Sequence, residues 1–127
     1  MILPDKKILI FDEARFSRIC QAILATEGYD AVAEADPARF PPFLARRQPG
    51  LIITSYPFGD PILEQIKWLE VPVIILSDHI DAELLKTLEG LKNSCCLLKP
   101  LDYRKFKDLV RHFFLRPLPE GEGYRII

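Results

Sequence analysis

The stretch ILIFDE at residues 8–13 contains four apolar residues followed directly by two carboxylates. Because the apolar run has no polar alternation, it predicts a short strand that is buried on both faces, as in a parallel sheet. Comparable runs recur at nearly even intervals along the chain. They predict five strands, at residues 7–11, 29–35, 51–54, 71–76 and 95–98.

Helical patterns lie between the predicted strands. The first is a buried stripe that Gly28 is expected to end. Asp36 and Pro37 predict the start of a second helix, which the pair Pro41-Pro42 should keep short or irregular. Asp81 predicts the cap of the fourth helix. The apolar stripes expected to be buried are Phe16, Ile19, Cys20, Ile23 and Leu24 in the first helix; Ile62, Ile66 and Leu69 in the third; Leu84, Leu88 and Leu91 in the fourth; and Phe106, Leu109, Val110 and Phe113 in the fifth.

Alternating strands and helices favour right-handed crossovers and a sheet covered on both faces. The expected fold is flavodoxin-like, with three α/β/α layers and a five-stranded parallel sheet in the order 2-1-3-4-5. One domain is predicted at residues 1–115. A flexible C-terminal tail is predicted at residues 116–127, where two prolines and two glycines fall within a short segment.

Composition is typical of a single globular domain. The chain has 127 residues, 49% of them apolar, and a formal net charge of −1. This balance does not favour nucleic acid or an anionic membrane as a partner, and no apolar run approaches the roughly 20 residues of a membrane span. A cytoplasmic location is predicted. The three cysteines lack CxxC spacing and are expected to be reduced core thiols, without zinc.

Polar residues collect at the predicted carboxyl ends of the strands. Asp12 and Glu13 follow the first strand, Ser55 the third, Ser77 the fourth and Lys99 the fifth. In open parallel sheets, ligands bind outside these ends, where the strand order reverses. We therefore expect the five side chains to lie together at the edge of the sheet formed by the carboxyl ends of the strands, which we call the rim. A plainer interpretation is that the two acids lie at a solvent-exposed strand end and that the two serines only make local hydrogen bonds.

From Lys6 to about Leu115 the chain resembles the response-regulator receiver (CheY-like) family of two-component signalling. ILIFDE at 8–13 is similar to the family's first strand and acidic pair. Ser77 matches the conserved Thr/Ser after the fourth strand, and Lys99-Pro100 matches the invariant lysine and its following, usually cis, proline. The resemblance implies that Asp12 and Glu13 are the Mg²⁺ pair and that Ser77 and Lys99 bind phosphoryl oxygens.

The chain departs from the family at the phosphoacceptor. In PGLIITSYPFGD at 49–60, Ser55 stands where the family has an aspartate; the loop lacks the usual Met-Pro, and Cys96 replaces the aromatic switch residue. A serine hydroxyl is a weak nucleophile near neutral pH unless a base activates it. The only histidine near the rim is His79, and we expect it to be a loop residue. The chain is thus similar to a degenerate receiver, or pseudo-receiver, and no catalytic residue is expected.

With one carboxylate missing from the rim, we expect Lys99 to pair with Asp12 or Glu13. Mg²⁺ should then bind weakly or not at all, and no other cofactor is expected.

The predicted function is that of a non-enzymatic, atypical receiver in a bacterial-type phosphorelay, independent of phosphorylation and acting by protein–protein contact. The resemblance implies a partner, either another signalling protein or a second copy in a homodimer, at the face of the fourth helix, fifth strand and fifth helix. Tyr103, Phe114 and Leu115 are candidates for exposed apolar area there.

Two alternatives are a receiver phosphorylated at Ser55 or another rim residue, and a flavodoxin-like binder of a small anionic ligand. No glycine-rich phosphate loop supports the second alternative.

Overall fold

A computed structural model of the chain describes residues 7–91, 93–115 and 123–127. Strands and helices alternate along it, as the sequence predicts. In chain order they are β1 (Lys7–Phe11), α1 (Ala14–Thr26), β2 (Asp30–Glu34), a 3-10 turn (Pro37–Arg39) leading into α2 (Phe40–Arg47), β3 (Leu51–Ser55), α3 (Asp60–Ile66), β4 (Val73–Ser77), α4 (Ala82–Glu89), β5 (Asn93–Leu98), α5 (Tyr103–Leu115) and β6 (Gly123–Ile126).

The strands form one parallel sheet in the order β2-β1-β3-β4-β5-β6. The first five strands give the predicted flavodoxin-like order 2-1-3-4-5. Residues of α1 and α5 pack with one face of the sheet, and residues of α2, α3 and α4 pack with the other. β1, β3 and β4 lie inside the sheet, and their apolar runs are buried because helices cover both faces.

Local signals in the sequence set the ends of several elements. Gly28 adopts a φ of +86°, a conformation that favours glycine, and it follows α1 as expected. The side chain of Asp36 accepts a hydrogen bond from the Ala38 N–H at 2.9 Å. The side chain of Asp81 caps α4 by accepting from the Leu84 N–H at 2.8 Å. The second helical segment is irregular, as predicted, because it begins as a 3-10 turn.

The cysteines are part of the hydrophobic core. Cys20 and Cys95 lie on one side of the sheet and Cys96 on the other, and all three thiols are buried. Burial raises the pKa of the Cys20 thiol to about 12, so this group stays protonated and unreactive at neutral pH. The cysteines therefore act as small apolar side chains, which confirms the prediction of core thiols.

The C-terminal residues differ from the expectation of a flexible tail. Residues 123–126 form β6, which pairs in parallel with β5. Ile127 continues the pairing, since its N–H donates to Cys96 O at 2.8 Å and its C=O accepts from the Leu98 N–H at 3.3 Å. An uncovered edge of β5 would present unpaired N–H and C=O groups, and the sequence YRII favours an extended strand. Residues 116–122, the first part of the expected tail, lie outside the described residues.

The described helices are too short, or too polar, for any of them to span a lipid bilayer.

Candidate functional site at the carboxyl ends of the strands

Asp12 and Ser55 meet at the rim because their strands are neighbours. β1 pairs with β3 in a register that places Phe11 opposite Thr54, so the residues that follow lie side by side. The Ser55 hydroxyl donates a hydrogen bond to Asp12 Oδ1 at 2.7 Å. Both residues are buried, with exposures of 5% and 2%. The Ser55 side chain thus points into the rim, and Asp60, the exposed first residue of α3, does not take its place.

The loop between β3 and α3 is held close to Ser55. The Gly59 N–H donates to Ser55 O at 2.7 Å, and the Tyr56 N–H donates to Leu76 O at 2.9 Å. The Thr54 hydroxyl donates to Phe11 O at 2.7 Å, which ties the end of β3 to β1. The Tyr56–Pro57 peptide bond is cis. These bonds leave the Ser55 side chain little freedom to move away from Asp12.

Asp12 is a carboxylate in a poorly solvated position. Burial is the largest influence and raises its pKa above the ordinary value of 3.8, although hydrogen bonds from Ser55 and the Glu13 N–H and attraction to Lys99 act in the opposite direction. Asp12 Oδ1 accepts both of those hydrogen bonds. Asp12 Oδ2 is buried and has no hydrogen-bond partner in the described part of the chain. The folded protein therefore disfavours the negative charge on this residue.

Replacing Asp12 by asparagine is expected to stabilise the protein by about 1 kcal/mol at neutral pH, because the amide oxygen can still accept from Ser55 and the buried charge is removed. Since the pKa of Asp12 is higher in the folded than in the unfolded state, the wild-type protein loses stability as the pH rises between those two values. The advantage of Asp12→Asn should therefore be absent at low pH and grow as the pH rises through this interval. Urea unfolding of both proteins from about pH 4 to about pH 8 measures it. A variant less stable than wild type at neutral pH would contradict this account of Asp12.

Lys99 lies at the rim but does not form the expected ion pair. Its ammonium sits over the ring of Phe16, with Nζ 5.1 Å from the ring centroid. No ion pair within 4.0 Å joins Lys99 to Asp12 or Glu13, both of which the structure describes. The prediction of a direct pair is therefore wrong, because Ser55 and the Glu13 N–H already occupy Asp12 Oδ1 and the Phe16 face attracts the cation. The Lys99–Pro100 peptide bond is cis, as the resemblance implied.

Ser77 ends β4 next to Lys99, whose N–H donates to Ser77 O at 2.8 Å. The Ser77 side chain is fully buried, and its hydroxyl donates to His79 O at 2.7 Å. The ring of His79 is exposed and lies 3.2 Å from Asp81 Oδ2, near the start of α4. Ser55 therefore has Asp12, and not His79, as its hydrogen-bond acceptor.

The residues at the rim fit Mg²⁺ poorly. This ion prefers oxygen ligands in octahedral geometry and is usually held by one or two carboxylates. Asp12 offers only Oδ2, since Oδ1 is already engaged, and Glu13 is exposed. Among the residues that the structure describes, no group of three or more His, Cys, Asp or Glu side chains could hold a metal.

Three residues that shape the site were not assigned to it from the sequence. Phe16 was counted as part of the core stripe of α1, although its face supports Lys99. Thr54 and Gly59 flank Ser55 and fix its loop. A glycine four residues after Ser55 was a usable signal, because a close backbone approach often requires glycine.

No protein-family model matches the sequence, and no curated protein matches it significantly. Solved structures of receiver domains do match the structure. A response regulator receiver protein from Pseudomonas putida is 26% identical, with a TM-score of 0.70 over 83% of this chain and 94% of that chain. The receiver domain of a signal transduction histidine kinase from Syntrophus aciditrophicus is 20% identical, with a TM-score of 0.72 over 88% and 93%. The BeF3-activated receiver domain of Klebsiella pneumoniae RstA is 16% identical, with a TM-score of 0.72 over 87% and 98%. The chain therefore has the fold of response-regulator receiver domains.

Proposed function

We propose that the chain is an atypical receiver domain in two-component phosphorelay signalling, a pseudo-receiver that is not phosphorylated and acts by protein–protein contact. The proposal includes a cytoplasmic location and no catalytic activity. It rests chiefly on the hydrogen bond from Ser55 Oγ to Asp12 Oδ1, 2.7 Å long, at the position of the family's phosphoacceptor. The receiver fold supports the signalling role.

The geometry explains why this rim would be inactive. A phosphoryl donor must reach the acceptor oxygen, yet Ser55 is 5% exposed and its proton is directed to Asp12. Metal ions normally neutralise charge during phosphoryl transfer, and the rim offers Mg²⁺ few ligands. The Lys99 ammonium lies over the Phe16 ring and makes no ion pair within 4.0 Å with Asp12. We infer that the rim keeps one state, so the signal is carried by the surface.

The partner surface that we propose is the α4–β5–α5 face, formed by Ala82–Glu89, Asn93–Leu98 and Tyr103–Leu115. In α5, Leu115 is 72% exposed, whereas Tyr103, which is 51% exposed, borders Ile19 and Ile23 and so lies on the α1 side of α5. Phe114 is only partly exposed, because its ring stacks on Tyr29 at a centroid distance of 5.3 Å. Exposed apolar side chains of this kind often mark interaction sites, for another signalling protein or for a second copy in a homodimer.

Incubation with a small acyl phosphate and Mg²⁺, followed by intact-mass measurement, tests the proposal. We expect the wild-type mass to remain unchanged, because the Ser55 oxygen is buried and bound to Asp12. A mass increase of one phosphoryl group that maps to Ser55, and that is absent from a Ser55→Ala variant, would contradict it.

The contact between Ser55 and Asp12 also favours a second candidate function, phosphorylation of Ser55 itself. Asp12 accepts a hydrogen bond from the Ser55 hydroxyl, and burial raises the pKa of Asp12, both of which suit a general base. In that reaction Ser55 Oγ would bond to the phosphorus of an acyl phosphate, the carboxylate would leave with its bonding electrons, and the hydroxyl proton would pass to Asp12. The product would be a phosphoserine, stable enough to survive the mass measurement above.

A further inference from the structure

The outer edge of β5 is covered by the chain itself. β6 pairs with β5 in parallel from Asn93↔Gly123 to Cys96↔Ile126, and β6 also lies against α4. Hydrogen bonds from the Ile127 N–H to Cys96 O and from the Leu98 N–H to Ile127 O extend the pairing by one residue. β6 therefore occupies the middle of the α4–β5–α5 face.

β6 is a short strand at one edge of the sheet. It is four residues long and has β5 as its only strand neighbour in the described sheet. Ile126 and Ile127 are 40% and 42% exposed. Segments with few buried apolar contacts and exposed backbone hydrogen bonds open more readily than the core. The two core clusters that the structure describes are formed by residues between Ile8 and Phe114.

We propose that the edge of β5 is a strand-accepting surface and that segment 123–127 is a built-in competitor for it. A partner that adds an extended apolar segment to this edge must first displace β6, because both use the same Cys96 and Leu98 backbone groups. The regulated quantity is thus the fraction of chains in which β6 is detached. The inference rests on the proposed function in one respect, namely that partners use this face.

A peptide of residues 121–127, GEGYRII, tests whether the edge accepts a strand in trans. With a fluorescent label at its N-terminus, the peptide is titrated by anisotropy against the full chain and against a chain ending at Leu115. We expect the shortened chain to bind at least about tenfold more tightly, because the attached segment lowers the fraction of open edges. The matched control is the same peptide with proline in place of Ile127, which lacks the N–H that donates to Cys96 and should bind more weakly to the shortened chain.

Amide hydrogen exchange measures how strongly β6 protects the backbone amides at the β5 edge, without an added peptide. The Leu98 N–H faces β6, whereas the Lys99 N–H faces β4 and donates to Ser77 O. We expect Leu98 to exchange at least about tenfold faster in the shortened chain, with Lys99 unchanged. A full-length Ile127→Pro chain removes the N–H bonded to Cys96 without deleting residues, and it should bind the peptide more tightly than wild type does.

Three results would overturn this inference. The peptide could bind the full and shortened chains with equal affinity, it could bind neither chain, or the Leu98 amide could exchange at the same rate in both. Neither readout involves phosphorylation. A wild-type chain that takes up a phosphoryl group at Ser55 would overturn the proposed function and leave the β5-edge result unaffected.

Discussion

Replacing Ser55 by aspartate is expected to lower the free energy of unfolding by about 3 kcal/mol without Mg²⁺, and to make that free energy depend on Mg²⁺. The substitution exchanges a hydrogen-bond donor for a second carboxylate beside Asp12, in a position that is 5% exposed. Two buried carboxylates in contact repel each other, and a divalent cation offsets this repulsion. Magnesium should therefore restore much of the lost stability by binding the folded state only.

Urea unfolding of Ser55→Asp with and without Mg²⁺ measures this effect, and Ser55→Asn is the matched control. Asparagine has nearly the same size as aspartate but adds no charge, so its stability should not respond to Mg²⁺. If Ser55→Asp were as stable as Ser55→Asn in the absence of Mg²⁺, the side chain at this position could not lie against Asp12 as described.

Replacing Gly59 by alanine is expected to destabilise the protein by about 2 kcal/mol. A Cβ atom at Gly59 would overlap Thr54 Oγ1 and lie 2.8 Å from Ser55 O. Thr54 cannot easily move, because its hydroxyl donates to Phe11 O at 2.7 Å. The substitution therefore strains the loop that holds Ser55 against Asp12.

Gly90→Ala is the matched control for Gly59→Ala. A Cβ atom at Gly90 would lie 3.5 Å from Thr87 O, an ordinary contact, so this variant should be neutral or more stable by up to about 0.5 kcal/mol. Thermal or urea unfolding of both variants makes the comparison. Equal stability of the two would show that the loop at Gly59 is looser than its hydrogen bonds indicate.

The fold could be predicted from the sequence because its signals are local and agree with one another. Apolar runs gave five strands, and Gly28, Asp36 and Asp81 marked helix ends that the structure confirms. The strand order 2-1-3-4-5 was then expected from the flavodoxin-like fold, which five strand–helix units of this length fit. The sequence also placed Asp12 and Ser55 at one rim, because each directly follows an apolar strand or ends one.

The details of the site could not be predicted, because they depend on which of several neighbours each side chain contacts. Charge alone favoured a pair between Lys99 and an acid, whereas the structure has Lys99 over Phe16. The pairing of residues 123–126 with β5 was also not predicted. The glycines and prolines in residues 116–123 favoured a flexible tail, and the extended segment that follows them is short. Trp68 is 80% exposed and follows α3, so its fluorescence should respond little to events at the rim.

Backbone NMR with beryllofluoride and Mg²⁺ tests whether the rim formed by Asp12, Ser55, Ser77 and Lys99 has a phosphoryl-responsive state. Beryllofluoride mimics a phosphoryl group, and an intact receiver responds to it. We predict that the amide signals of Ser77 and Lys99 stay where they are throughout the titration, because Ser55 is buried against Asp12. Saturable shifts of those two signals would contradict the account.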